Sequence, residues 1–143
     1  MGERITIPIQ LRWGDLDAQA HVNNVTMLKL LEEARVRVLW DGDDWTGDGI
    51  VTLIARQEVE YLAPMPYTSE PVRVELWISR LGGSSIELSY EILPPAGHGD
   101  APYAKATGVI VFADSATGRP TRLTPEQRAR WEPYLGEPVA FRR

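Results

Sequence analysis

Residues 24–40, "NVTMLKLLEEARVRVLW", form the one long helical pattern in the chain, and four alternating stretches follow with no comparable helix between them. Met27, Leu31, Ala34 and Val38 recur at helical spacing, flanked by Leu28, Leu30 and Leu39, so the apolar face is wide. Lys29, Glu32, Glu33 and Arg37 share the opposite side, with Glu33 and Arg37 in the favourable acid-before-base order four residues apart. A face this broad must be covered, and the strands around it in sequence are the surface available.

Those strands announce themselves by period two. Ile5, Ile7, Ile9, Leu11 and Trp13 alternate before the helix. After it come Val51, Leu53, Ala55, Val59 and Tyr61, then Val72, Val74, Leu76 and Ile78, then Ile86, Leu88, Tyr90 and Ile92. The last two are joined by "LGGSS", a connection suited to an antiparallel hairpin. A fifth strand runs roughly from Tyr103 to Ala113, and "TPEQRARWEPYL" reads as a short terminal helix with Thr124 as N-cap and Pro125 at its first position. One strand, one helix and four strands make an α+β fold: a curved antiparallel sheet of about five strands around one long helix, in a single domain spanning residues 1–143. The sheet's edges and far face still need cover, which predicts a homodimer or homotetramer.

Composition removes whole classes of function. A net charge of −5 disfavours a phosphate-backbone binder, so no nucleic acid partner is expected. The absence of cysteine excludes a thiol nucleophile and a thiolate metal site. The sequence has no membrane-length apolar run, and "MGERITIPIQ" lacks a signal-peptide core, so a cytoplasmic protein is expected. "DGDDWTGDGIVT" departs from a calcium loop at Thr46 and Thr52, and reads as a solvated loop. His21 and His98 lie far apart, so neither a metal nor any other cofactor is expected. "GGSSI", with Ser84 and Ser85, is not a nucleophile elbow.

Chemistry concentrates in "WGDLDAQAHVNN", residues 13–24. It lies between the first strand and the helix, whose opening turn presents unpaired N–H groups and a partial positive charge. An acid brought beside such a turn pairs a proton acceptor or nucleophile with an oxyanion donor, which is what acyl transfer needs. Taken singly, Asp15 and Asp17 are equally suited to turns, and Asn23 to an N-cap.

The stretch "RWGDLDAQAHVNNVTMLKLLEEAR" resembles the signature of the 4-hydroxybenzoyl-CoA thioesterase-like branch of the hotdog-fold superfamily. That signature reads aromatic-x-Asp-x-Asp, then Gly-His-Val-Asn-Asn, then a Tyr-containing helix with Glu-Glu-Ala-Arg. "VEYLAPMPYTSEPVRVE" and "RLGGSSIELSYEI" resemble the same family more weakly, and the hotdog element order matches the one read above. The resemblance implies an acyl-CoA thioesterase with sites at a dimer interface. It implies that Asp17 is the catalytic carboxylate, as nucleophile or general base, and that the backbone N–H of Asn24 is the oxyanion donor. His21 and Asn23 would shape the loop, His21 with a share in catalysis. Met27 stands where Tyr is common, leaving an apolar wall to the substrate site, and Ala20 stands where Gly is usual. Where relatives cluster basic residues at the hairpin, this chain offers Arg80 and Ser84 as candidate contacts to CoA. A non-catalytic acyl-CoA or lipid binder and a hotdog hydratase or dehydratase are the alternatives, since one fold carries several chemistries.

Overall fold

The computed structural model describes residues 2–39 and 49–142. Trp40 and the Asp-rich stretch 41–48 lie outside the described residues. The elements are β1 (Ile5–Ile9), α1 (Asn24–Leu39), β2 (Ile50–Tyr61), β3 (Val72–Leu81), β4 (Ser85–Leu93), β5 (Ala104–Asp114) and α2 (Pro125–Trp131). Five strands form one sheet in the order β1-β3-β4-β5-β2, every pair antiparallel.

The helix buries the face its spacing predicts: Met27, Leu31, Ala34 and Val38 pack with Leu30 and Leu39 onto Val72, Val74, Leu76, Ile86, Leu88, Ile92 and Ile110. Glu33 and Arg37 pair on the opposite side. α1 leans over β3 and β1. The face of β2 that continues this inner surface is therefore left open, with Ile54 47% and Tyr61 44% exposed. The terminal helix begins as its sequence predicts, Thr124 Oγ1 accepting from Gln127 N–H at 3.1 Å and Gln127 Oε1 from Thr124 N–H at 2.8 Å.

Three features differ from simple alternation. First, β1 stops at Ile9, and Trp13 lies in a 3-10 turn over Trp13–Asp15 with its ring edge-on to Tyr67. The cause is Asp15, whose Oδ2 accepts from Arg12 N–H at 2.8 Å and folds the chain back before a strand can continue. Second, the pairing of β2 with β5 shifts between Ile54 and Arg56. Such a bulge reverses the inward parity of a strand. Ile54, whose Cδ1 approaches Gly108, and Tyr61, which reaches α1, thus share the inner face although one number is even and the other odd. The face expected to unite Val51, Leu53, Ala55, Val59 and Tyr61 is split in two. Third, the chain covers part of its own outer sheet face. Gly136 N–H donates to Ile78 O at 2.8 Å, Trp77 Nε1–H to Glu137 O at 2.7 Å, and Val139 N–H to Ser89 Oγ at 3.2 Å. Trp77 and Ser89 are buried beneath this tail, and Arg4 stacks over the Trp77 ring at 3.9 Å while bridging Glu75 and Glu91.

Candidate functional site

The loop between β1 and α1 is built from its base upward. Asn23 N–H donates to Asp15 O at 2.9 Å, Asp17 N–H to His21 O at 2.9 Å, and Val22 N–H to Met65 O at 2.8 Å. Leu16 and Val22 pair as an antiparallel bridge across the same neck. Above it, Ala20 N–H closes a turn onto Asp17 O at 3.0 Å, and Asp17 Oδ1 accepts from Gln19 N–H at 2.9 Å. Asp15 is buried and holds this neck, whereas Asp17 and His21 are exposed. Among the described residues Asp17 Oδ2 receives no protein hydrogen bond.

Ala20 sits at φ 61°, the one described non-glycine residue at positive φ. The left-handed conformation costs an alanine about 1 kcal/mol and a glycine almost nothing. Ala20→Gly is therefore expected to leave stability unchanged or raise it by up to ~1 kcal/mol, where Gly for Ala elsewhere costs ~0.5–1 kcal/mol. Urea denaturation of the two proteins measures this, and a loss above ~1 kcal/mol would show that the turn is not strained.

The helix then starts on Asn23 as N-cap. Its Oδ1 accepts from Val25 N–H at 2.8 Å and its backbone oxygen from Met27 N–H at 3.1 Å. Asn24, the first helical residue, keeps its N–H without a protein partner among the described residues. No acid stands in the first turn of α1 to neutralise that end of the helix.

Asp17, His21, Asn24 and Met27 line one open pocket of about 340 Å³, together with Tyr61 and the segment from Leu62 to Met65. The structure thus brings four of the expected site residues together, with Asn23 as the cap beside them. Tyr61 was not among the expected site residues. Its hydroxyl donates to Asn24 O at 3.2 Å, so β2 supplies a phenol at the helix start where Met27 has none. Nothing local to "VEYLAP" marks this role, because it depends on the bulge between Ile54 and Arg56.

Arg80 and Ser84 lie elsewhere. β1 runs antiparallel to β3 with Ile9 opposite Val72, so the site loop leaves near the start of β3 while the hairpin follows its end at Leu81. Within one chain they stand at opposite ends of a ten-residue strand, roughly 30 Å apart. The hairpin also gathers basic residues that its own sequence does not contain. Arg128 Nη1 donates to Gly82 O at 2.7 Å, and the Arg122 guanidinium lies 3.5 Å from where a side chain on Gly83 would begin.

This frame and loop match a known family over most of the chain. The profile of the Thioesterase-like superfamily covers residues 11–131. The chain belongs to the thioesterase-like superfamily. Its fold is the hotdog fold, as in similar solved structures. A thioesterase of Thermus thermophilus complexed with coenzyme A and Zn is 32% identical, with a TM-score of 0.76 over 93% of this chain and 95% of that one. A protein of Bacillus stearothermophilus described as a predicted thioesterase is 27% identical, with a TM-score of 0.81 over 96% of this chain and 100% of the other. A Pseudomonas aeruginosa protein is 25% identical, with a TM-score of 0.81 over 94% of both chains. No curated protein matches the chain. No described helix of this thioesterase-like protein is long and apolar enough to cross a membrane.

Proposed function

We propose that this superfamily member is an acyl-CoA thioesterase, and the observation that carries the reading is the shared pocket of Asp17 and the unpaired Asn24 N–H. The thioester carbonyl oxygen is held at the opening turn of α1, where helix dipole and free N–H stabilise the developing negative charge. Asp17, with Oδ2 uncommitted, either takes a proton from the attacking water or attacks the carbonyl itself to form an anhydride that water then opens. Collapse of the tetrahedral intermediate breaks the C–S bond and releases CoA as a thiolate, protonated by His21 or by solvent. Asn23 holds the turn, Met27 supplies an apolar wall, and the Tyr61 hydroxyl fixes the Asn24 carbonyl.

The working unit is a dimer formed edge to edge through β2. This strand closes the sheet on one side and exposes Leu53 and Ile54. A two-fold axis beside β2 aligns the strand antiparallel to its copy, so the Ile50 end of one copy lies by the Tyr61 end of the other. The hairpin stands at the Ile50 end, because Ser84 O accepts from Phe112 N–H and Phe112 pairs with Thr52. The second copy's Arg80, Ser84 and Arg122 are thereby carried toward the CoA nucleotide, across the boundary that separates them from Asp17 within one chain.

A thiol-release assay over acyl-CoAs of increasing chain length and one aromatic acyl-CoA tests the reading. Saturable release of CoA from at least one is expected. Saturable binding without thiol release would make the chain a binder instead. A hydroxyacyl or enoyl product would make it a hydratase or dehydratase.

A further inference from the structure

Tyr61 enters the candidate site from β2, and its one hydrogen bond sets what its hydroxyl can do there. A phenol carries a single proton. Tyr61 gives that proton to Asn24 O at 3.2 Å, and among the described residues nothing else bonds to its oxygen. With the proton committed, the oxygen offers the pocket an acceptor only. It does so beside a helix start whose free N–H is a donor.

Orienting that N–H does not require the phenol. The Asn24 N–H belongs to the peptide shared with Asn23, and Asn23 has bonds of its own. Its N–H donates to Asp15 O at 2.9 Å, its Oδ1 accepts from Val25 N–H at 2.8 Å, and its backbone oxygen accepts from Met27 N–H at 3.1 Å. The contact with Asn24 O thus fixes the phenol at least as much as it fixes the helix.

Direct attack on a thioester needs a water that is both deprotonated and aimed. Such a water has two hydrogens. Asp17 Oδ2, which receives no protein hydrogen bond, is placed to take one. The other needs a second acceptor. Four polar side chains line the pocket: Asp17, His21 and Asn24 from the loop and helix start, and Tyr61 from β2. The side chains of His21 and Asn24 are held by no hydrogen bond among the described residues, whereas the phenol is anchored. An acceptor fixed in advance costs no reorganisation when the water moves. These bonds all lie within one chain, so they stand whatever the second copy covers.

Resting on the thioesterase reading, we infer that Tyr61 is a catalytic residue whose oxygen accepts the second hydrogen of the attacking water, with Asp17 as general base. The water oxygen bonds to the thioester carbon as its first proton passes to Asp17 Oδ2. Negative charge collects on the oxygen held at the Asn24 N–H, and collapse breaks the C–S bond. Asp17 then loses its proton to solvent, the thiolate gains one from His21 or solvent, and the second hydrogen stays on the product acid.

The test uses the octanoyl, palmitoyl and benzoyl thioesters of CoA, taking the one that the wild-type protein hydrolyses fastest. Tyr61→Phe is expected to lower kcat by ~10-fold with KM kept within ~2-fold. A single turnover of the wild type in ¹⁸O-water is expected to label the product acid and not Asp17. Infrared spectroscopy separates a water acceptor from an oxyanion donor. In the Asp17→Asn protein the carbonyl stretch of the bound ¹³C-labelled thioester reports the pull of donors on its oxygen. Adding Tyr61→Phe is expected to leave that frequency unchanged. A shift toward the free thioester would give the phenol to the oxyanion, directly or through Asn24, and overturn the inference. So would label in Asp17, or an unchanged kcat in Tyr61→Phe. Should the wild type release no thiol from any of the three, the thioesterase reading itself falls, and the role of Tyr61 with it.

Discussion

Asp17→Asn is expected to lower kcat for acyl-CoA hydrolysis by ~100-fold or more, with the thermal midpoint kept within a few degrees. The reason for expecting a loss of rate without a loss of fold lies in how the side chain is used. Asp17 is exposed, and its one structural bond is accepted by Oδ1 from Gln19 N–H. An asparagine keeps that acceptor and the turn beneath it. It removes the charge on the second oxygen, to which the proposed mechanism gives the proton transfer or the attack. Thiol release and circular dichroism on the same samples measure the two halves of this expectation, and undiminished turnover would take Asp17 out of the chemistry. A single turnover in ¹⁸O-water separates the two routes: label appearing in Asp17 itself marks the anhydride, label confined to the product acid marks direct attack by water.

Leu53→Asp should convert the protein into a folded monomer and reduce kcat/KM by ~100-fold or more, as expected when part of a site is displaced. Leu53 is 51% exposed on the open edge strand, so an aspartate there is tolerated by one copy alone. Across a two-fold axis the same change sets like charges against each other and removes apolar cover from both copies. Light scattering after gel filtration reports the mass. A wild-type protein that is monomeric and fully active would refute the shared site, and the contribution of the second copy's hairpin with it.

The tail on the outer sheet face bears on how large the assembly becomes. The bare sheet reads as having a far face in need of a partner, and a tetramer through that face is one way to provide it. Residues 135–142 instead lie across β3 and β4 and reach β2, where Arg142 N–H bonds to Glu60 Oε2 at 2.9 Å. The edge of β2 is left for the proposed dimer.

Much of the candidate site was legible because its parts are close in sequence. Asp17, His21, Asn23 and Asn24 fall within eight residues, and a strand end followed by a capped helix forces such residues together. Arg35 was legible as the last residue of the signature stretch that begins at Arg12. That its side chain is largely buried and lines an opening between α1 and β2 is decided by packing that no local pattern encodes. Arg122 and Arg128 are some 40 residues from the hairpin they approach, and no local signal links them.

By itself the sequence determined the element order, the buried face of α1, the hairpin and the turn that places Asp17 before a helix start. Each of these follows from spacing within a few residues, where periodic burial and backbone hydrogen bonding act. Only the tertiary structure decided which side of β2 faces the helix, what covers the outer sheet, and that Tyr61 joins the candidate site at the start of α1. Those depend on one bulge and on packing between distant segments, and a one-residue shift in strand register reverses every side chain beyond it.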